Sequence, residues 1–238
     1  MNENHDTILA IDSSAVSASC CVVRGEKLIA QTFVNAGLTH SRTLLPIIDA
    51  TLNAADVAVA DIDFAAVSAG PGSFTGVRIG IATVKGICFT HGIPCIPVST
   101  LDAIAQNMSG FPGHVCAVMD ARRGQVYTAT FSLDGGPMRI TEDRAIPMEE
   151  LAEELPRLGT AVWLCGDGAE ICYEKLKGLP NIRMAPPLLR YQTGYGVARA
   201  AAMALAQNQT VKPDDLTPIY LRIPQAEREL KRRAGGHE

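Results

Sequence analysis

The segment Gly70-Pro71-Gly72-Ser73-Phe74-Thr75-Gly76-Val77-Arg78-Ile79-Gly80 constrains this chain more than any other. It follows an apolar run, Phe64 to Ser68, and leads into a helical pattern from about Gly76 to Thr90. Glycine admits positive φ and close backbone approach, and a helix N-terminus presents free N–H groups to an anion. The segment is nevertheless not a Walker A loop, because Gly76 is followed by Val77-Arg78 rather than Lys-Ser/Thr. It is not a dinucleotide fingerprint either: the spacing is G-x-G-x-x-x-G, and no acid lies between Gly76 and Asp102 to hold a ribose. Gly76, Ile79, Gly80, Thr83 and Val84 instead form a small-residue stripe that another helix can approach closely. A close-packed interface is expected there before a ligand pocket.

The rest of the pattern builds around that helix. Ile8–Ile11, 17–23 and 28–34 read as strands, with a hairpin turn at Arg24 to Lys27. Leu44, Leu45, Ile48 and Leu52 give helical spacing over 41–55, with Ser41 or Thr43 as cap and Pro46 near the first turn. Strand 95–98 and helix 100–108 complete an order β-β-β-α-β-α-β-α, which fits a mixed sheet with helices on it. Ser109 to Gly113 reads as a hinge. A hairpin over 115–132, a helix near 148–155, a strand at 161–165 and an Ala-rich helix over 193–207 follow. The expected division is a first lobe over 1–109, a second over 110–215, and a tail over 216–238 that returns to the first lobe.

Composition narrows the function classes. Hydrophobic residues make up 47% and charged residues 19%, enough to bury a core built mainly from aliphatics, since aromatics are 5%. The net charge is -4, and the only basic run is Arg228 to Arg233, so the chain lacks the basic stripe that polyanion binding needs. Its longest uncharged stretch, Ala103 to Met119, is broken by Gly110, Pro112 and Gly113, and Met1 to Thr7 carries no apolar signal core. The expectation is a cytoplasmic protein with no membrane partner. Seven cysteines without a C-x-x-C pair read as buried free thiols in a reducing compartment. No two of the five histidines lie within five residues, and no serine has G-x-S-x-G context, so no metal site and no catalytic constellation is expected.

Three turns remain open to two readings. Asp12-Ser13-Ser14 suits a phosphate or Mg²⁺ loop, or an ordinary Asx turn, which is commoner. Asp120-Ala121-Arg122-Arg123-Gly124 suits a phosphate-contacting hairpin or a solvated turn. Gly166-Asp167-Gly168 suits a close approach to adenosine or a plain turn. Each half thus opens with a strand leading to an aspartate, Asp12 and Asp120.

These residues, with His40-Ser41, the segment from Gly70 to Gly80 and the late Tyr220-Leu221-Arg222, resemble the TsaB (YeaZ) family over nearly the whole chain. The resemblance implies an α/β fold of two lobes, actin-like and RNase H-like (the ASKHA superfamily), with a mixed sheet and flanking helices in each lobe. It implies a non-catalytic member in which Asp12, Ser13, Ser14, Asp120, Gly166 and Gly168 are vestiges of a nucleotide site. It also implies a part in tRNA N6-threonylcarbamoyladenosine (t6A) synthesis. There TsaC makes threonylcarbamoyl-adenylate, TsaD transfers it with its own metal ion and ATP, TsaE contributes ATPase activity, and this chain scaffolds TsaD with no cofactor of its own. Contact with TsaD, or with a second copy in its absence, is expected through Leu44, Leu45, Ile48, Leu52, Gly76, Ile79, Gly80, Thr83 and Val84, some of which must serve the core. tRNA is reached only through the complex. The alternative is an active ATPase or kinase of the superfamily; a peptidase of the M22 type is disfavoured by the missing histidine pair.

Overall fold

The structure, a computed structural model, describes residues 6–222 of the 238. The basic run Arg228 to Arg233 and the polar residues before Asp6 lie outside the described residues. Two sheets carry the fold. In the first, β1 (Thr7–Asp12), β2 (Ala18–Arg24) and β3 (Lys27–Val34) form an antiparallel meander, and β4 (Phe64–Gly70) and β5 (Cys95–Ser99) add parallel to β1, giving the order β3-β2-β1-β4-β5. The second has β6 (His114–Asp120), β7 (Gln125–Ser132), β8 (Met138–Arg139), β9 (Arg144–Pro147), β10 (Val162–Cys165) and β11 (Ile182–Met184). Its order is β11-β10-β6-β7-β8, with β9 also on β7. Strand β6 pairs antiparallel with β7 and parallel with β10, as β1 does with β2 and β4. The halves are repeats of one plan, and Asp12 and Asp120 occupy the same place, the C-terminal end of the central strand.

Both faces of the first sheet are covered, which is why β1 and β2 read as unbroken apolar runs rather than alternating ones. Leu9, Ile11, Cys20 and Val22 face α1 (His40–Ala55) and α2 (Phe74–Phe89); Ile8, Ala10, Cys21 and Val23 face α6 (Gly194–Ala206). Helix α1 begins at His40 with Thr39 as N-cap, not at Ser41 or Thr43, and Pro46 sits in its second turn on the exposed side. Helix α2 begins two residues before the expected Gly76, because the Ser73 hydroxyl accepts the Gly76 N–H at 3.3 Å and caps it there.

The helices do not respect the expected lobes. Helix α3 (Thr100–Gln106) puts Leu101, Ile104 and Ala105 against Val115, Ala117 and Phe131 of the second sheet. Helix α6, expected in the second lobe, covers the first sheet instead. Helix α3 thus lies between the sheets, with Ala103 packed on Ala10 and Ile96 of the first, so the division at 109/110 follows the strands only. The far face of the second sheet is covered by α4 (Met148–Glu154) and α5 (Ala169–Leu176). Strands β8, β9 and β11 carry only two to four residues each, too few for a period to show in sequence. All seven cysteines are buried and unpaired to one another by disulfides. Among the described residues no helix is long and apolar enough to cross a membrane.

Candidate functional site

Asp12 leaves the end of β1 fully buried, and its carboxylate is consumed by its own surroundings. One oxygen accepts the Ser14 N–H at 3.0 Å and the Ser14 hydroxyl at 3.0 Å; the other accepts the Ser68 hydroxyl. Burial raises its pKa, against the opposing hydrogen bonds from Ser68 and Ser14. The next residues are sealed by the glycine segment. The Ser13 hydroxyl donates to the Gly76 carbonyl at 2.9 Å, and the Ser73 N–H donates to the Ser14 carbonyl at 2.7 Å. A Cβ on Gly72 would lie 2.4 Å from the Ser14 carbonyl oxygen, and one on Gly76 2.2 Å from that of Ser13. Only glycine lets α2 lie this close to the turn. His40, at the start of α1, closes the third side by donating from Nε2 to the Ala15 carbonyl at 2.6 Å.

The second half supplies the opposite wall. Asp120 accepts the Arg122 N–H at 2.7 Å and its guanidinium at 3.0 Å. Arg122 and Arg123 both hold positive φ, 65° and 57°, in the turn that joins β6 to β7. Asp167 accepts from the Gln192 amide at 2.8 Å, and burial, together with Asp120 and Asp12, pushes its pKa up to about 6. Between the walls runs a cleft of about 400 Å³ lined by residues that include Ser14, Phe74, Arg122, Tyr127, Asp167 and Tyr220.

Of the residues expected around a vestigial nucleotide site, Ser14 and Asp120 line this cleft, while Asp12 and Ser13 lie behind it. Gly166 and Gly168 are pressed against β6. A Cβ at Gly166 would stand 2.1 Å from the Val118 carbonyl oxygen, and one at Gly168 would stand 2.8 Å from the Met119 carbonyl carbon. The glycine pair is used by the chain's own β6. The first turn is packed against Gly72 and Gly76, and Asp12 is turned to Ser14 and Ser68 rather than toward the cleft. Among the described residues no group of three or more His, Cys, Asp or Glu side chains is placed to hold a metal.

The expected contact face divides. Leu44, Ile48 and Val84 are core residues, and Gly76 and Gly80 face the Ser13 turn, so these five are turned inward and are withdrawn from it. Leu52, Ile79 and Thr83 are half-buried, and Leu45 is 61% exposed. The outward face of α2 is carried by residues the sequence reading passed over: Arg78, Ala82, Gly86 and Phe89, at i, i+4, i+8 and i+11, are all exposed. The stripe of small residues at Gly76 and Gly80 lies on the inner side of α2, against the Ser13 turn.

Over residues 34–176 the chain matches a family model described as "TsaD: tRNA N6-adenosine threonylcarbamoyltransferase". It is 30% identical over 229 residues to the Bacillus subtilis tRNA threonylcarbamoyladenosine biosynthesis protein TsaB, covering 93% of this chain and 96% of that one. The chain belongs to the TsaB family. YeaZ from Pseudomonas aeruginosa superposes with a TM-score of 0.76 at 26% identity, over 91% of this chain and all of that one. A component A of (R)-2-hydroxyglutaryl-CoA dehydratase from Acidaminococcus fermentans shares the actin-like fold at 14% identity, with a TM-score of 0.50 over 85% of this chain and 98% of that one. The TsaB family's actin-like fold is thus kept here, with its first turn closed by the glycine segment.

Proposed function

We propose that this TsaB-family chain takes part in t6A synthesis as a non-catalytic subunit that docks TsaD through the outward faces of α1 and α2. The observation that carries the reading is the saturation of Asp12. A carboxylate with both oxygens hydrogen-bonded to Ser14 and Ser68, beneath a turn packed against Gly72 and Gly76, is built as a structural post. Such a post rigidifies the start of α2 and leaves that helix free to present its other side. Leu45 on α1 and Ala82, Gly86 and Phe89 on α2 are exposed, with Ile79 and Thr83 half-buried beside them on α2, and among the described residues nothing beyond the helix's own backbone lies within 4 Å of a Cβ added at Gly86. A mid-helix glycine in open space costs about 1 kcal/mol against alanine, a cost consistent with close approach by another helix.

In this reading ATP and the metal ion belong to TsaD, TsaE and TsaC act in the same pathway, and tRNA meets this chain only within the complex, in keeping with the net charge of -4. A second copy occupies the same face when TsaD is absent. The test is light scattering of the purified chain with TsaD. Formation of a heterodimer as homodimer disappears supports the reading; unchanged separate species reject it.

A second reading, a nucleotide-binding enzyme of the superfamily, draws on the cleft between Ser14, Phe74, Asp120, Arg122 and Tyr220. It requires saturable ATP·Mg²⁺ binding that Arg122→Ala weakens, and calorimetry at millimolar ATP without heat removes it.

A further inference from the structure

The motif Tyr220-Leu221-Arg222 plays no part in the docking face or in the Asp12 post, yet the chain travels far to deliver it. After α6 the backbone returns across the first half. Val211 bridges Cys95 through a reciprocal pair of hydrogen bonds at 2.8 Å, and Lys85 of α2 donates to the Asp214 carbonyl at 3.0 Å. Leu216 is buried in the core beneath α1 and α2. The Ile219 N–H then donates to the Ala69 carbonyl at 2.7 Å, and the segment passes so close to Gly70 (φ 126°) that a Cβ there would lie 2.2 Å from the Ile219 carbonyl oxygen. Every anchor to this point is in the first half.

Two side chains then act in opposite directions. The Tyr220 ring stacks on Phe74 with centroids 5.4 Å apart, and its hydroxyl accepts from Arg78 Nε at 2.7 Å while the Arg78 guanidinium lies 3.8 Å from the Phe74 centroid. Two residues later Arg222 donates from Nη1 to the Ala121 carbonyl at 2.9 Å, in the β6–β7 turn of the second half. Tyr220 and Arg222 both line the cleft. Arg78 also belongs to the outward face of α2.

We propose that Tyr220 and Arg222 form a clasp between the two halves, hooked at one end on Arg78 and Phe74 of α2 and at the other on the Ala121 turn, so that a partner engaging the outer face of α2 changes the opening of the cleft. The coupling rests on the docking reading above; the clasp itself does not. A guanidinium cannot keep one geometry against Phe74 and Tyr220 while a partner reorders its hydrogen bonds, because its five donors sit in a fixed plane.

The test uses the full-length chain with nitroxide labels at Val16→Cys, an exposed cleft residue of the first half, and Arg123→Cys, exposed in the β6–β7 turn of the second; the seven native thiols are buried. Pulsed dipolar spectroscopy reads the distance between them. Arg222→Ala and Tyr220→Ala are expected to shift the distribution to longer distances and broaden it. Tyr220→Phe, which keeps the ring and loses only the bond to Arg78, gives a smaller shift and guards against a folding failure in the alanine variants. An unchanged distribution in Arg222→Ala and Tyr220→Phe overturns the clasp. Adding TsaD to the parent protein is expected to shift the distribution, and to have no further effect in Arg222→Ala. TsaD that binds without any shift overturns the coupling. TsaD that does not bind contradicts the docking reading, while the variants still decide the clasp.

Discussion

Gly80 and Ser13 touch where α2 crosses the end of β1: a Cβ added to Gly80 would stand 2.5 Å from the Ser13 hydroxyl oxygen, which is itself bonded to the Gly76 carbonyl. Alanine would ordinarily favour a helix by about 1 kcal/mol over glycine. Here the crowding outweighs that gain, because overpacking a fixed contact costs about 1–3 kcal/mol. Gly80→Ala is therefore expected to lower the urea midpoint. Ser13→Ala in the same chain removes the crowding atom and recovers part of the loss, a non-additivity that a double-mutant cycle measures. Additive effects of the two changes would show that the contact does not set the position of α2.

Ser68 is the second support of the Asp12 post. Ser68→Ala leaves one buried carboxylate oxygen with only the Ser14 hydroxyl at 3.2 Å. A loss of about 1–3 kcal/mol is expected for the ionised carboxylate, which the Ser68 hydroxyl supports against the burial that raises its pKa. The loss shrinks as the pH falls and Asp12 takes up a proton. Chemical denaturation of the variant at several pH values checks both statements; a loss that does not change with pH contradicts them.

Asp167 gives a pH dependence of known sign. Its folded pKa of about 6 lies above the ordinary value of 3.8, so the folded chain binds this proton more readily than the unfolded one. The cost of holding it ionised is fully present above about pH 6 and is relieved as the pH falls from 6 toward 3.8. Asp167→Asn, which stays neutral, is expected to gain stability over the parent at pH 7, to lose part of that advantage by pH 5 and to lose the rest as the pH nears 3.8. Parallel stability curves between pH 5 and 7 would show that Asp167 does not titrate in this range.

Much of the fold was legible because its elements announce themselves locally. The β1–β2–β3 meander, α1, α2 and the 115–132 hairpin follow from apolar runs, turn residues and period, and the match of Asp12 with Asp120 was visible as two strands ending in an acid. What the sequence hid was relational. Leu44 and Leu45 are adjacent, equally apolar residues on one helix, yet one is in the core and the other is 61% exposed, because α1 packs through a single stripe. Gly80 and Gly86 look alike in the sequence; one is pressed on Ser13 and the other faces open space. The placing of α3 between the sheets and of α6 on the first has no local signal at all, since each helix carries the same aliphatic residues wherever it docks. The closed first turn was equally hidden. Asp12-Ser13-Ser14 reads the same whether it holds a phosphate or its own Ser68.

The docking face is tested most directly at Ala82, an exposed residue at the middle of α2. Ala82→Arg puts a long charged side chain on the outward stripe without touching the core, so the thermal midpoint should stay within a few degrees of the parent. Light scattering of the variant with TsaD should then show two separate species under conditions where the parent forms a heterodimer. A folded Ala82→Arg chain that still forms the heterodimer with undiminished affinity would contradict the assignment of this face to TsaD.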